Sequence, residues 1–301
     1  MRTDTEPAPR PSRARSRFGA AGGALLLLAG VACGGAEEEE GPVAERGESG
    51  TPVALGDLEA VERDDLSSLF ADAGVDGTFV LYDVREGSAV LVGVDQARER
   101  AVPASTFKLP NTLIALETGV VADIDEVVSP EGEEESSLRE ALPTTDVTVH
   151  HEVAHRIGYD RMSTWVDRFD YGNRHVGEDG ELGRFWVEGP LEISAVEQAT
   201  FLAALARSEL PVDVAHQEEL QELVALEEGN GYRLFGRTGL GTEADPSPGW
   251  WVGWVEGEDG LYTFALRLNV EQDGDADLRE SLGRDFLVEL DVLPAEAATG
   301  N

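Results

Sequence analysis

The chain has 301 residues with 41% apolar content, ample for a buried core, so disorder is not its default state. Sixty acidic side chains against 23 basic ones give a formal charge of −37, a field that repels nucleic acid and anionic lipid headgroups and excludes both as partners. Cys33 is the single cysteine, so no intrachain disulfide can form.

Arg10, Arg13, Arg15 and Arg17 precede an apolar run at residues 20–32, which holds Leu25, Leu26, Leu27 and Leu28 and ends in small residues before Cys33. That order of basic, apolar and small residues predicts a secretory signal peptide over residues 1–32, too short to span a bilayer comfortably. Val31-Ala32-Cys33 resembles a bacterial lipobox, although Gly30 stands where a larger aliphatic residue is usual. Lipidation of Cys33 is expected, with an ordinary cleaved signal and an incidental thiol as the alternative. The expected location is therefore periplasmic, or the cell envelope as a membrane-anchored lipoprotein. Residues 33–56 contain Glu37, Glu38, Glu39 and Glu40 followed by Gly, Pro, Ser and Thr, and predict an acidic disordered tether. The folded domain is expected over residues 57–294, with 295–301 as a tail.

Leu58, Val61, Leu66, Leu69 and Phe70 recur at helical spacing, so a helix is expected over 57–73, stopped by Gly74. Runs at 78–84 and 89–94 are β-rich and joined by Arg85-Glu86-Gly87-Ser88, a hairpin signal. A helix bearing Ser105 and Lys108 runs through Leu113 and Leu116 to Gly119 as its stop. Residues 131–218 are largely helical, most clearly at 162–169 and 194–202. Strands are expected at 232–239, 249–256 and 261–270, closed by a helix over 277–290. This order predicts an α+β fold: an antiparallel sheet formed by N- and C-terminal strands, flanked by helices, with an inserted, mostly helical lobe.

Ser105 and Lys108 lie three residues apart in Ser105-Thr106-Phe107-Lys108, so on a helix a hydroxyl and an amine share one face. A nucleophile would then stand beside a base, with the helix N-terminus supplying a positive field where an attacked carbonyl gathers negative charge. Alone the pattern is weak, because a serine N-cap before a surface lysine has the same spacing.

Further segments narrow the choice. Leu113-Ile114-Ala115-Leu116-Glu117-Thr118-Gly119, Tyr171-Gly172-Asn173, Phe185-Trp186-Val187-Glu188-Gly189-Pro190-Leu191 with Ile193-Ser194, and Gly249-Trp250-Trp251-Val252-Gly253-Trp254-Val255-Glu256 occur in that order. With the Ser-x-x-Lys element they resemble the class D serine β-lactamases of the penicillin-recognising fold over about residues 75–290. The resemblance implies hydrolysis of small-molecule β-lactams through an acyl-enzyme on Ser105, with no metal or organic cofactor. It also implies that CO2 carboxylates Lys108, that this carbamate is the general base, and that burial near Phe107 and Val147 favours the neutral amine it needs. Trp186 matches the tryptophan whose indole N–H serves the carbamate. The backbone N–H groups of Ser105 and Leu240 would form the oxyanion hole, and Arg279 would grip the substrate carboxylate.

Two positions depart from the family. Thr145-Asp146-Val147 stands for Ser-x-Val, keeping the hydroxyl that passes a proton to the leaving nitrogen but adding a methyl and a neighbouring acid. Arg237-Thr238-Gly239 stands for Lys-Thr-Gly, where a forked arginine replaces a lysine. The acidic stretch Glu131-Gly132-Glu133-Glu134-Glu135 stands where a longer active-site loop with aromatics is expected. A non-hydrolysing penicillin-binding or sensor domain and a D-alanyl-D-alanine peptidase are alternatives within this fold. A zinc protease is a remote one, because His151, Glu152 and His155 match His-Glu-x-x-His while Arg161 occupies the place of a third ligand. His150, Val153, Ala154 and Ile157 form the core-facing stripe there, so the motif is expected to be a solvated helix face.

Overall fold

The computed structural model describes residues 59–297 apart from 131, 145, 146 and 230. The expected signal peptide, tether and Cys33 lie outside the described residues, as do Thr145 and Asp146. The first described element, β1 (Glu59–Glu62), is a strand and not the start of the expected helix. Its four residues are exposed, and it pairs in parallel with β3 (Ser88–Val92), where Arg63 N–H also donates to the Leu91 carbonyl. An open sheet edge outweighed a helical pattern too short to bury its own face. The helix begins only with α1 (Ser68–Ala73), ended by left-handed Gly74 as expected.

The remaining strands are β2 (Asp76–Asp83), β4 (Ala225–Gly229), β5 (Tyr232–Leu240), β6 (Ser247–Gly257) and β7 (Leu261–Val270). They form one seven-stranded sheet in the order β1-β3-β2-β7-β6-β5-β4, antiparallel throughout except for the β1–β3 edge. Terminal halves of the domain therefore share the sheet, because β2 pairs with β7 at its centre. The short β4 was hidden in the sequence by its Glu227 and Glu228, which a strand tolerates at an edge.

Both faces of the sheet are covered, which explains why its strands are apolar at consecutive positions. Val80 and Tyr82 of β2 and Trp250, Val252 and Trp254 of β6 enter one core. Phe79 and Leu81, with Trp251 and Val255, enter the other, against α1 and a C-terminal helix (Leu278–Glu289). Packing continues past residue 294, since Ala297 is buried in this second core. At Gly253 strands β6 and β5 come too close for a side chain: a Cβ would stand 2.0 Å from the Phe235 carbonyl oxygen. Gly253→Ala is expected to destabilise the fold by about 3 kcal/mol, and an unchanged thermal unfolding midpoint would contradict this packing.

The larger core is filled by helices between β3 and β4. In chain order these are α2 (Val94–Arg98), α3 (Lys108–Glu117), α4 (Leu138–Ala141), α5 (Thr148–Ile157), α6 (Tyr159–Arg168), α7 (Ala195–Ala206) and α8 (Val214–Leu223), after which Leu278–Glu289 is α9. Ser194 caps α7, accepting from Glu197 N–H, while Glu197 returns the bond to Ser194 N–H. Helix α7 packs on the sheet, where Thr263 of β7 donates to its Ala199 carbonyl at 2.8 Å.

Candidate active site

Ser105 sits in a 3₁₀ turn, Ala104–Phe107, that runs directly into α3. The expected helix is therefore present, but its first turn is tighter than α. Three neighbours pin the approach to it. Ala101 exchanges backbone hydrogen bonds with Ile193 at 3.0 and 2.9 Å, Trp250 Nε1 donates to Val102 O at 2.9 Å, and Ala104 N–H donates to Trp186 O at 2.8 Å. Ala104 is held at φ +50°, a left-handed conformation that costs an L-residue about 1–2 kcal/mol and that its fixed neighbours sustain. Thr106 is fixed as well, donating to Pro103 O and accepting from Gln198 of α7, both at 2.7 Å. The half-buried Ser105 thus stands on a rigid turn.

Lys108 is the only lysine among the chain's 23 basic residues, and it is 1% exposed. Its Nζ donates to Ala141 O at 3.3 Å and Thr144 O at 3.0 Å. Phe107 beside it stacks on Trp186 at 5.3 Å and meets Phe185 edge-on at 5.1 Å, forming an apolar wall. Val147, half-buried, stands at the start of α5, where its carbonyl accepts from His151 N–H.

The third side is β5. A Cβ on Gly239 would lie 3.1 Å from Pro103 O and 3.2 Å from Thr106 N, so the missing side chain lets the strand lie against the turn that carries Ser105. Arg237 Nη2 donates to Thr144 O at 2.9 Å, so one carbonyl accepts from both Lys108 and Arg237. Arg279 reaches from α9 and donates through Nη1 to Gly239 O at 2.6 Å. Burial, and then the neighbouring Arg279 guanidinium, push Arg237 down to about 10, and burial lowers Arg279 too. The Arg279 guanidinium thus disfavours charge on Arg237, an effect that a bound anion would relieve. Thr238 lines a cleft of about 170 Å³ with Pro143, Trp251 and Glu280, and Leu240 ends the strand half-buried. Glu133, Glu134 and Glu135 line a second cleft, of about 440 Å³, with Ala141 and Thr144.

Over residues 77–287 the chain matches the penicillin binding protein transpeptidase domain. It is 34% identical to β-lactamase OXA-10 of Pseudomonas aeruginosa over 71% of this chain and 84% of that protein. Its structure is similar to that of FUS-1 (OXA-85), a class D β-lactamase of Fusobacterium nucleatum subsp. polymorphum, with a TM-score of 0.73 at 34% identity, covering 77% of this chain and all of the other. The chain belongs to the class D β-lactamases. A further class D enzyme, YbXI of Nostoc, is 30% identical with a TM-score of 0.74 and the same coverage. Against β-lactamase OXA-48 of Klebsiella pneumoniae the identity is 32%, over 75% of this chain and 87% of that protein.

In this family member the structure brings Ser105, Lys108, Trp186, Arg237, Gly239 and Arg279 to the turn at Ala104–Phe107 and its surroundings, while Val147 stands at the start of α5. The remote zinc reading fails on donors: Glu152 is paired with Arg156 at 2.9 Å, and among the described residues no three His, Cys, Asp or Glu converge on a metal position. His155 is exposed as expected, but His151 is half-buried and meets the Trp186 ring edge-on at 5.4 Å, which a solvated helix face did not anticipate. Several supports carry no sequence signal, namely the carbonyls of Ala141 and Thr144 and the left-handed Ala104. The Arg100–Glu197 pair, in which Nε donates to both carboxylate oxygens at 3.0 and 3.1 Å and Nη2 donates to one of them, joins residues 97 apart and was equally hidden.

His150 is 0% exposed, and burial, followed by the charges of Lys108, Arg237 and His151, holds its imidazole well below the usual histidine range. It is neutral in the folded chain and charged in the unfolded chain below about pH 6.5, so the unfolded state binds the extra proton and stability falls as pH drops through that value. In CO2-free buffer His150→Phe is expected to flatten this acid limb, as read from urea unfolding between pH 7 and 5. Equal slopes for both proteins would contradict it.

Proposed function

We propose that this chain hydrolyses β-lactam antibiotics through an acyl-enzyme on Ser105 and so confers resistance to them. The observation that carries the reading is the single lysine of the chain, buried directly after the nucleophile turn, with its amine held by two backbone carbonyls beside an aromatic wall. Arginine serves every other cationic position, yet only an amine can give up its proton near neutral pH. An amine so removed from water is favoured in its neutral form, which is the form that reacts with CO2. Lys108 and Trp186 fit such a carbamate, which when bound supplies a general base.

The other residues supply position and charge. Ser105 Oγ forms the bond to the lactam carbonyl carbon and loses its proton, while the backbone N–H groups of Ser105 and Leu240 receive the oxyanion. The Thr145 hydroxyl passes a proton to the nitrogen as the C–N bond breaks. Water then cleaves the ester and restores Ser105. Arg237 and Arg279, with Thr238 and Gly239 between them, hold the substrate carboxylate and offset the negative field of the whole chain. Arg279→Ala is expected to lower kcat/KM for an anionic penicillin by about 10- to 100-fold, about 1.5–3 kcal/mol, chiefly through KM. A change confined to kcat would contradict a binding role.

Intact-mass spectrometry with a penicillin tests the function. A transient adduct on Ser105 with release of hydrolysed drug supports it, and a permanent adduct would turn the chain into a penicillin-binding sensor. We further propose export with lipidation at Cys33. Metabolic labelling with palmitate should mark the wild type, and label retained by Cys33→Ser would refute lipidation there.

A further inference from the structure

Among the described residues, neither ring nitrogen of His150 has a hydrogen-bond partner, although the residue is fully buried. A neutral imidazole carries one donor and one acceptor, so this position leaves both unserved where a phenyl ring would fill the space without that cost. On the facing helix α3, Asn111 Oδ1 and Thr112 Oγ1 are also buried without partners, while Asn111 Nδ2 donates to His150 O at 3.0 Å. An imidazole kept at such a position is a candidate for charge exchange with its surroundings.

Among the described residues, the charged and titratable groups that act on this ring come from three elements: Lys108 on α3, Arg237 on β5 and His151 on α5. Lys108 stands three residues before Asn111, the α3 residue that bonds to His150 O; burial opposes a proton on His150 most, followed by these three charges, Lys108 first among them. That balance changes if Lys108 reacts with CO2. The neutral amine forms the N–C bond, one C–O π pair becomes carboxylate charge, and one proton leaves the nitrogen. The Lys108 side chain near His150 would thereby carry a negative charge in place of a neutral amine.

We infer that His150 is a positioning residue for the general base, taking up a proton as Lys108 is carboxylated so that imidazolium and carbamate stabilise each other. The inference rests on the carbamate reading above. The balance is one amine, one CO2 and one imidazole giving one carbamate anion and one imidazolium, so no net proton is released to solvent. Linkage makes the effect reciprocal: whatever the carbamate adds to His150 protonation, the proton adds to carbamate retention. His150 therefore extends the range of the base toward acid.

The test follows the carbamate resonance of the full chain in 13C-labelled bicarbonate as the pH is lowered. Assignment is direct because Lys108 is the only lysine and Lys108→Ala provides the blank. In His150→Phe, and in His150→Gln, which is polar but does not titrate at these pH values, the midpoint for losing the resonance is expected about one pH unit higher than in the wild type. This corresponds to about tenfold weaker CO2 retention at mildly acid pH. Thermal unfolding checks that each variant is folded, and His150→Gln carries the test if the phenyl ring is not accommodated. A midpoint that stays in place in the folded variants overturns the inference alone. A wild-type chain with no carbamate resonance at any pH overturns the carbamate reading and the inference with it.

Discussion

Replacing Ser105 by alanine is expected to lower β-lactam turnover by about 10³-fold or more and to remove the covalent adduct. The turn that carries Ser105 is fixed independently of its hydroxyl, by the bonds at Ala101, Val102, Ala104 and Thr106. Alanine therefore deletes the nucleophile and leaves the oxyanion donors and the arginine pair in place. The variant should still bind a penicillin reversibly, shown by protection against thermal unfolding, with no mass increase. A stable adduct on Ser105→Ala would place the nucleophile elsewhere.

The loss of Lys108 should be nearly as large, but it differs in kind. Lys108→Met keeps an unbranched chain in a site that is 1% exposed, and Lys108→Arg keeps the charge. Neither side chain forms a carbamate, so both are expected to lose about 10²- to 10⁴-fold in kcat, the range for a general base, and neither should recover with added bicarbonate. Wild-type activity should rise with bicarbonate in CO2-depleted buffer. Recovery of Lys108→Arg to wild-type rates would mean that the positive charge at this position suffices.

Ser105 and Lys108 stood out in the sequence because the proposed chemistry requires their spacing, and the segments around Trp186 and Trp250 followed in order. The tryptophans of β6 are core, Trp250 and Trp254 on one face of the sheet and Trp251 on the other. Arg237 was recognised as a departure, and the structure gives it work: its guanidinium shares the Thr144 carbonyl with Lys108 and lies close enough to Arg279 to depress its own proton affinity. The helix expected from residue 57 failed, since the edge of β3 offers β1 hydrogen bonds that local periodicity does not record. His150 was read only as part of an apolar stripe, which is correct for its burial and silent about its unpartnered nitrogens.

The sequence by itself determined what recurs at fixed local spacing. That includes the Ser-x-x-Lys turn, the consecutive apolar runs of the sheet strands, the glycine stops and the family to which these motifs belong. Only the tertiary structure decided which backbone carbonyls hold the Lys108 amine, that Gly239 brings β5 onto the nucleophile turn, that two arginines from β5 and α9 meet, and that an imidazole lies buried without partners beside them. The physical reason is range. Turn and strand preferences act over a few bonds and are written in neighbouring residues, whereas desolvation, charge coupling and backbone hydrogen bonds to side chains depend on what the fold brings within a few ångströms from positions far apart in the chain.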